Sequence, residues 1–289
     1  MGRVRTIVFP VAGLGTRMLP ATKVLPKEML PVVDRPVIQY ALEEAAASGI
    51  EQFVLVTGRG KTIIEDHFDR AFELFDTLQR KTKAAELETL ERDVPTAGEV
   101  VYTRQQEPKG LGHAVWCARH VVGDEPFAVC LVDDLIRGDV PCLRQMVDAH
   151  AETGGNVVAV MEVPHEHTAR YGVITPGETS GRLTEVRGLV EKPRPEEAPS
   201  RLAVIGRYVL LPEVFDHLAE QRTGAGGEIQ LTDAMARLIG ATPFHGLRFE
   251  GRRFDCGDKL GYLEAIVAAA SEREDLKPGF AEMLKRYCR

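Results

Sequence analysis

Short apolar runs alternate along this chain with stretches of helical periodicity. The apolar runs predict strands at residues 4–9, 52–57, 100–103, 127–132 and 157–163. Between them, apolar positions at helical spacing predict helices near residues 36–48, 61–92, 111–120 and 141–152. Strands that alternate with helices in this way indicate an α/β protein whose mostly parallel sheet is covered on both faces.

The last third of the chain has a different pattern. Residues 171–209 predict short strands joined by turns. Helical spacing returns at residues 212–220, 229–239, 259–273 and 280–287. No repeat, low-complexity tract or flexible linker separates the two parts, so the sequence predicts one domain over residues 1–289.

Composition and charge exclude several kinds of partner. A formal net charge of −7 argues against a nucleic acid or an anionic membrane surface as a ligand. No apolar run approaches the ~20 residues that span a bilayer, and no signal-like segment is recognisable, so we expect a soluble, cytoplasmic protein. The five cysteines lack metal-ligand spacing and predict reduced thiols; they are Cys117, Cys130, Cys142, Cys256 and Cys288.

A glycine-rich loop with two nearby cations follows the first predicted strand. The small residues Ala12 and Gly13 in this loop, residues 9–20, let backbone N–H groups approach a base or a phosphate closely. Arg17 and Lys27 add positive charge. The combination predicts a site for a nucleoside triphosphate.

Two better-known glycine motifs fit the chain less well. The segment from Gly13 to Met18 begins like a dinucleotide fingerprint, but Met18 stands where a third small residue is needed, which argues against a Rossmann dehydrogenase. The segment Gly60-Lys61-Thr62 follows a strand as a P-loop does, but Leu55 stands where the earlier glycine is required. A P-loop NTPase acting through Lys61 is therefore an alternative that the spacing disfavours.

Acidic residues follow predicted strands at positions suited to a metal ion. In an open α/β sheet, ligands bind beyond the carboxyl ends of the strands. Asp133 and Asp134 end such a strand, where a carboxylate could hold Mg²⁺, although either could instead be a helix N-cap or a solvated carboxylate. Asp255 is a second candidate of the same kind. Asp258 fits the N-cap of the helix that follows it.

Two polar groups suit a sugar phosphate and a base. Glu191 and Lys192 place a hydroxyl-binding carboxylate beside a phosphate-binding ammonium, and Pro193 predicts extended backbone at Lys192. Gln105 offers both a donor and an acceptor to the edge of a base. His113, at a predicted helix start, is expected to be structural.

Eight segments between about Ile7 and about Glu264 form a family pattern. They are residues 10–23, 26–31, 38–40, 109–114, 171–173, 191–193, 206–208 and 224–233. Together they closely resemble the bacterial UTP–glucose-1-phosphate uridylyltransferases, a branch of the sugar nucleotidyltransferases. The amino-terminal loop is shared by the wider group, whereas residues 38–40 and 226–233 are typical of the uridylyltransferase branch. The tail from residue 271 onward matches less clearly.

The resemblance implies a role for each matching residue. Uracil and ribose would be surrounded by Ala12, Gly13, Glu28, Gln105 and Gly110. Arg17 and Lys27 would bind the triphosphate and catalyse the transfer of its uridylyl group. Glucose 1-phosphate would contact Gly172, Glu191 and Lys192. Asp133 would hold Mg²⁺, and Asp255 matches a second metal-binding aspartate of the related thymidylyltransferases.

The resemblance also implies a fold and an assembly. The fold would be a Rossmann-like mixed, mostly parallel sheet of the nucleotidyltransferase type, with a small sugar-binding and C-terminal helical portion. Residues 1–170, approximately, would bind the nucleotide, and about 171–289 would bind the sugar and form the C-terminal helices. Family members are commonly homodimers or homotetramers.

The implied reaction converts UTP and glucose 1-phosphate to UDP-glucose and pyrophosphate with Mg²⁺ as cofactor. A sugar phosphate is already anionic at neutral pH, so direct in-line attack on the α-phosphorus needs no general base. One alternative is a thymidylyltransferase that uses dTTP. Another is a catalytically silent nucleotide-sugar sensor, which would be expected to lack a cation or a metal carboxylate.

Overall fold

Thirteen strands and eleven α-helices occur in residues 2–287, which the computed structural model describes. The strands are β1 (Thr6–Pro10), β2 (Pro31–Val32), β3 (Arg35–Pro36), β4 (Gln52–Thr57), β5 (Val100–Arg104), β6 (Phe127–Cys130), β7 (Asp134–Arg137), β8 (Asn156–Glu162), β9 (Gly172–Ser180), β10 (Leu183–Glu191), β11 (Leu202–Leu210), β12 (Phe244–Arg248) and β13 (Arg252–Asp255). The helices are α1 (Val37–Ala47), α2 (Thr62–Phe68), α3 (Phe72–Arg80), α4 (Ala84–Asp93), α5 (Leu111–Cys117), α6 (Arg119–Val122), α7 (Cys142–Thr153), α8 (Val214–Ala219), α9 (Leu231–Ala236), α10 (Lys259–Glu272) and α11 (Lys277–Tyr287).

Nine of these strands form one sheet in the order β5-β4-β1-β6-β11-β8-β12-β10-β9. Strands β4 and β6 pair with β1 in parallel, and β5 pairs with β4 in parallel. Strand β11 is antiparallel to both β6 and β8, and β10 is antiparallel to both β12 and β9. Seven of the nine strands therefore point in one direction, which confirms the predicted mixed, mostly parallel sheet.

Helices cover both faces of the sheet, as predicted. Neighbouring residues of β1 point to opposite sides: Ile7 and Phe9 belong to one buried cluster and Val8 to another. The first cluster includes apolar residues of α1, α2 and α7, and the second includes residues of α5, α8 and α9. Because both faces are buried, the central strands are continuous apolar runs without polar alternation.

Two predicted regions differ from the observed elements. The helical stretch at 61–92 is three helices, α2 to α4, because the chain turns at 69–71 and 81–83 without a glycine or proline to mark the breaks. The region 171–209 holds three nine-residue strands where short strands were predicted. The distal half of β9 is exposed and polar, so its length leaves no apolar run in the sequence.

Strand β13 and helix α10 form a small layer beside the sheet. Strand β13 pairs with β7, and α10 packs on β13 through Ala265 and Ala269. The Asp258 side chain accepts hydrogen bonds from the amides of Leu260 at 3.0 Å and Gly261 at 3.3 Å. The predicted N-cap is thus confirmed, and it fixes where α10 begins relative to Asp255.

The cysteines of the described residues are not paired in disulfides. Cys117, Cys130, Cys142 and Cys256 are free thiols, and Cys288 lies outside the described residues. Burial raises the pKa of Cys130 to about 12, which keeps this thiol protonated. Among residues 2–287, no helix has both the length and the apolar character needed to cross a bilayer.

Candidate active site

A cavity of about 780 Å³ opens beyond the carboxyl ends of β1 and β6. This is the edge of the sheet where the sequence predicts ligand binding. Six predicted site residues line the cavity: Arg17, Asp133, Gly172, Glu191, Lys192 and Asp255. The other six form contacts beside it rather than lining it: Ala12, Gly13, Lys27, Glu28, Gln105 and Gly110.

Two cations converge on Asp133. The Lys27 ammonium lies 2.6 Å from Asp133 Oδ2, and Arg17 Nη2 lies 3.7 Å from the same oxygen. Burial opposes the charge on Lys27 and on Asp133, but their attraction outweighs it, so the pKa of Lys27 is raised and that of Asp133 is lowered. The carboxylate of Asp133 is therefore ionised at neutral pH and faces the cavity.

The neighbouring Asp134 is occupied by structural contacts. Its Oδ2 accepts the amide N–H of Gly206 at 3.0 Å, and its Oδ1 accepts Arg253 Nε at 2.6 Å. Asp134 also begins β7, where it pairs with Asp255 of β13. Of the two adjacent carboxylates, Asp133 is the one left to act on a ligand.

Asp255 lines the same cavity, next to the turn that carries Asp133. It accepts Arg170 Nη2 at 3.2 Å and the Gly257 amide at 3.1 Å. A Cβ at Gly257 would stand only 2.8 Å from Asp133 Oδ2 and 2.6 Å from Arg17 Nη2, so glycine is needed where the two loops meet. The loops that carry Asp133 and Asp255 are thus in direct contact.

The donor set fits a magnesium ion shared with phosphates. Mg²⁺ is commonly bound through one or two carboxylates while substrate phosphates and waters complete its shell. Asp133 and Asp255 supply such carboxylate oxygens in one cavity. Across residues 2–287, no group of three or more histidine, cysteine or acidic side chains is arranged to hold a metal ion.

Glu28 and Lys61 form a buried ion pair beside the glycine loop. Lys61 Nζ lies 2.7 Å from Glu28 Oε2, and the side chains are 8% and 0% exposed. Burial raises the pKa of Glu28, while the charges of Lys61 and Lys27 oppose the rise. Glu28 Oε1 has no hydrogen-bond partner. Because Lys61 is committed to Glu28, the P-loop interpretation is wrong.

Gln105 and Gly110 are held together next to the start of α5. The Gln105 amide nitrogen donates to Gly110 O at 3.0 Å and lies 3.0 Å from His113 Nδ1. Gly110 has φ 108°, and a Cβ there would stand 2.8 Å from Ile229 O. Glycine is therefore required for this close approach of the two loops.

The glycine loop packs closely on the strand ends. Ala12 is 9% exposed, and a Cβ at Gly58 would stand 3.3 Å from Ala12 O. Gly13 is exposed, with the Lys27 side chain 3.9 Å from the position a Cβ would take. The loop backbone at Ala12 and Gly13 is thus placed between Lys27 and the end of β4.

Glu191, Lys192 and Gly172 meet where β10 ends beside β9. Glu191 Oε2 accepts Thr232 Oγ1 at 2.7 Å, and Glu191 Oε1 lies 3.3 Å from Lys192 Nζ. A Cβ at Gly172 would approach the Glu191 carboxylate to 3.3 Å. The prediction of extended backbone at Lys192 is wrong, because its φ angle is 46°. The Lys192 amide donates a hydrogen bond to Tyr171 O at 3.0 Å, which holds this conformation as the chain turns towards Pro193.

Arg207, for which the sequence predicted no role, supports the turn that carries Asp133. Arg207 is 1% exposed and forms an ion pair with Glu44 at 2.6 Å. It also donates to Leu131 O at 3.0 Å and Asp134 O at 2.9 Å. Arg207 lies in segment 206–208 of the family pattern, but its role depends on partners far away in the chain. Glu44 is 163 residues distant and Leu131 is 76 residues distant.

Comparison with known proteins agrees with this geometry. The family model for nucleotidyl transferases matches residues 8–272. A UTP–glucose-1-phosphate uridylyltransferase of Komagataeibacter xylinus is 53% identical over 89% of this chain and 90% of its own length. A UTP-bound UGPase from Acinetobacter baumannii is 41% identical, with a TM-score of 0.90 over 97% of this chain and 98% of that chain. A UDP-glucose pyrophosphorylase complexed with UDP-glucose is 41% identical, with a TM-score of 0.86 over 93% of this chain and 100% of that one. The chain therefore belongs to the nucleotidyl transferase family, in its branch of bacterial UTP–glucose-1-phosphate uridylyltransferases.

Proposed function

We propose that this protein transfers the uridylyl group of UTP to glucose 1-phosphate, releasing pyrophosphate and forming UDP-glucose. The observation that carries the proposal is the convergence of Arg17 and Lys27 on the cavity-facing Asp133, across a cavity that also holds Glu191 and Lys192. Relatives crystallised with UTP and with UDP-glucose share the fold at TM-scores of 0.90 and 0.86, which supports both ends of this reaction.

The residues beside the cavity form the nucleotide site in this proposal. Gln105 and the amides near Ala12, Gly13 and Gly110 take the base. The unpartnered Oε1 of Glu28 accepts a ribose hydroxyl, which gives this buried oxygen the partner that it lacks in the free protein.

Charge placement supplies most of the catalysis. A sugar phosphate with a second pKa of about 6 is already a dianion at neutral pH and needs no base. Its attack on a triphosphate must overcome repulsion between anions, and preorganised cations reduce that barrier. Arg17 and Lys27 stabilise the triphosphate and the departing pyrophosphate. Asp133, with Asp255 nearby, would hold Mg²⁺, whose charge would offset that of the phosphates.

The sugar phosphate is oriented by the wall formed by β9 and β10. The Lys192 ammonium binds its phosphate, and the Glu191 carboxylate accepts a hydrogen bond from a hydroxyl group of the sugar. Thr232 holds the same carboxylate at 2.7 Å, so its orientation is set before the sugar arrives. Gly172 leaves the space that a side chain would fill next to Glu191.

Pyrophosphate release with a panel of nucleoside triphosphates and sugar phosphates tests the proposal. We expect turnover with UTP and glucose 1-phosphate together, and none with either alone. Preference for dTTP would identify a thymidylyltransferase, and ATP hydrolysis without a sugar phosphate would identify an NTPase. No turnover, with nucleotide sugars still bound, would identify a silent sensor. A covalent nucleotidyl-enzyme in a single-turnover trap would overturn direct in-line attack.

A further inference from the structure

His113 lies at the start of α5, where it contacts the amide of Gln105. The ring is 9% exposed and stacks on Trp116 with centroids 5.8 Å apart. The Arg119 guanidinium lies over the Trp116 ring, with its Cζ atom 3.6 Å from the ring centroid. These contacts keep the imidazole in one orientation, with Nδ1 directed at Gln105 and 3.0 Å from its amide nitrogen.

The hydrogen bonds of Gln105 determine which end of its amide faces outward. Gly110 O can only accept, so the amide atom 3.0 Å from it must be the nitrogen. The same nitrogen lies 3.0 Å from His113 Nδ1, which can accept only when the imidazole is neutral with its proton on Nε2. Both partners therefore select the same orientation.

The amide oxygen of Gln105 is left free. Within residues 2–287, no hydrogen bond of the protein reaches Gln105 Oε1, and it is not among the fully buried atoms without a partner, so part of its surface remains accessible. An outward acceptor favours a base with an N–H donor at its edge. Uracil offers N3–H, whereas cytosine offers an acceptor at the same place.

We propose that His113 is a positioning residue for base selection: as a neutral acceptor, it fixes the Gln105 amide so that its oxygen faces the base. This role rests on the proposed uridylyl transfer and on Gln105 as part of the base site. His113 touches neither substrate nor reacting phosphate in this proposal, so its effect passes entirely through Gln105.

Protonation of His113 should weaken this control. A proton on Nδ1 would face the amide N–H₂, and turning the amide would set its oxygen against Gly110 O, so each orientation then has one mismatched contact. Burial lowers the pKa of His113, and the charges of Lys109 and Arg119 lower it further while Glu107 opposes them. The ring is therefore neutral at pH 7, and selection should decline as pH falls below the ordinary histidine range.

The test compares UTP with CTP as the ratio of their kcat/KM values. His113→Phe keeps a ring on Trp116 but removes the acceptor. One neutral hydrogen bond typically changes an equilibrium by about tenfold, so we expect the UTP:CTP ratio to fall by about tenfold while the KM for glucose 1-phosphate is unchanged. His120→Phe, at an exposed histidine of α6, is the matched control and should leave the ratio unchanged.

A pH series on the unsubstituted protein and on His113→Phe completes the experiment. In the unsubstituted protein, the UTP:CTP ratio of kcat/KM values should fall as the pH is lowered from 8 to 5. The fall should be smaller in His113→Phe, where only the titration of the nucleotides themselves remains. A His113→Phe protein with the ratio and pH profile of the unsubstituted protein would overturn the role of His113 alone. Absence of any UTP turnover in the unsubstituted protein would overturn the proposed function, and with it this role.

Discussion

Breaking the buried ion pair between Glu28 and Lys61 should lower the free energy of unfolding by an amount that follows from its geometry. At the observed 2.7 Å, the attraction of two unit charges is about 6 kcal/mol for an effective dielectric constant of about 20. The cost of removing both ions from water offsets much of this value, but removing one partner leaves the other charge buried without compensation. Lys61→Met should therefore lower the free energy of unfolding by about 3–5 kcal/mol.

The pH dependence of Lys61→Met has a defined sign. Without the ammonium, the already raised pKa of Glu28 should rise further. A carboxyl whose folded pKa lies above its unfolded value stabilises the fold below the unfolded pKa, and this contribution is lost as pH rises. The destabilisation by Lys61→Met should thus be larger at pH 8 than at pH 5.

Urea unfolding of four proteins provides the assay. Lys83→Met is the matched control, because Lys83 pairs with Glu86 at 3.0 Å with both side chains about half exposed, at 55% and 50%; its loss should be far smaller. Glu28→Gln combined with Lys61→Met should recover stability relative to Lys61→Met alone. A Lys61→Met loss no larger than that of Lys83→Met, or one independent of pH, would refute the reasoning.

Three further predictions concern the site and the fold. Asp133→Asn should lower kcat at least ~10²-fold while the protein still folds, with some loss of stability because Lys27 loses its ion-pair partner; near-normal turnover at saturating Mg²⁺ would favour Asp255 as the metal ligand. Lys192→Ala should mainly raise the KM for glucose 1-phosphate, whereas Arg17→Ala should mainly lower kcat with UTP; matching kinetic profiles would contradict this division. Asp258→Ala, which removes the cap of α10, should cost about 1 kcal/mol in urea unfolding without changing KM, and an unchanged stability would contradict the role of the cap.

The main sheet and the position of the site could be predicted from local patterns. Buried parallel strands are continuous apolar runs, and the residues that follow them lie at one edge of the sheet, which is how Asp133 and Arg17 were found. The lengths of β9 and β10 were predicted too short, because the exposed half of this hairpin follows no apolar pattern. Short strands such as β13 are stabilised by pairing with β7, a contact that local sequence does not encode.

Some features of the site depend on contacts between residues far apart in the chain. The residue pattern alone left Asp133 and Asp134 as alternatives, and the hydrogen bonds that Asp134 accepts from Gly206 and Arg253 favour Asp133 as the proposed ligand. Lys61 fits half of a phosphate-loop motif, but its partner Glu28 lies 33 residues earlier. The left-handed backbone of Lys192 depends on a hydrogen bond to Tyr171, which lies across the hairpin.

The guanidinium of Arg207 makes local opening of the turn at 131–134 costly. Its bonds join that turn to α1 and β11, and the amides of Leu131 and Gly206 are themselves bonded across the same junction. Breaking these bonds separately would leave a buried cation unpaired, which is far more costly than fraying an exposed loop. Backbone amides of this turn should therefore exchange with deuterium at the rate of global unfolding. The Asp133 carboxylate, which we propose as the Mg²⁺ ligand, would then be among the last parts of the native protein to lose its place.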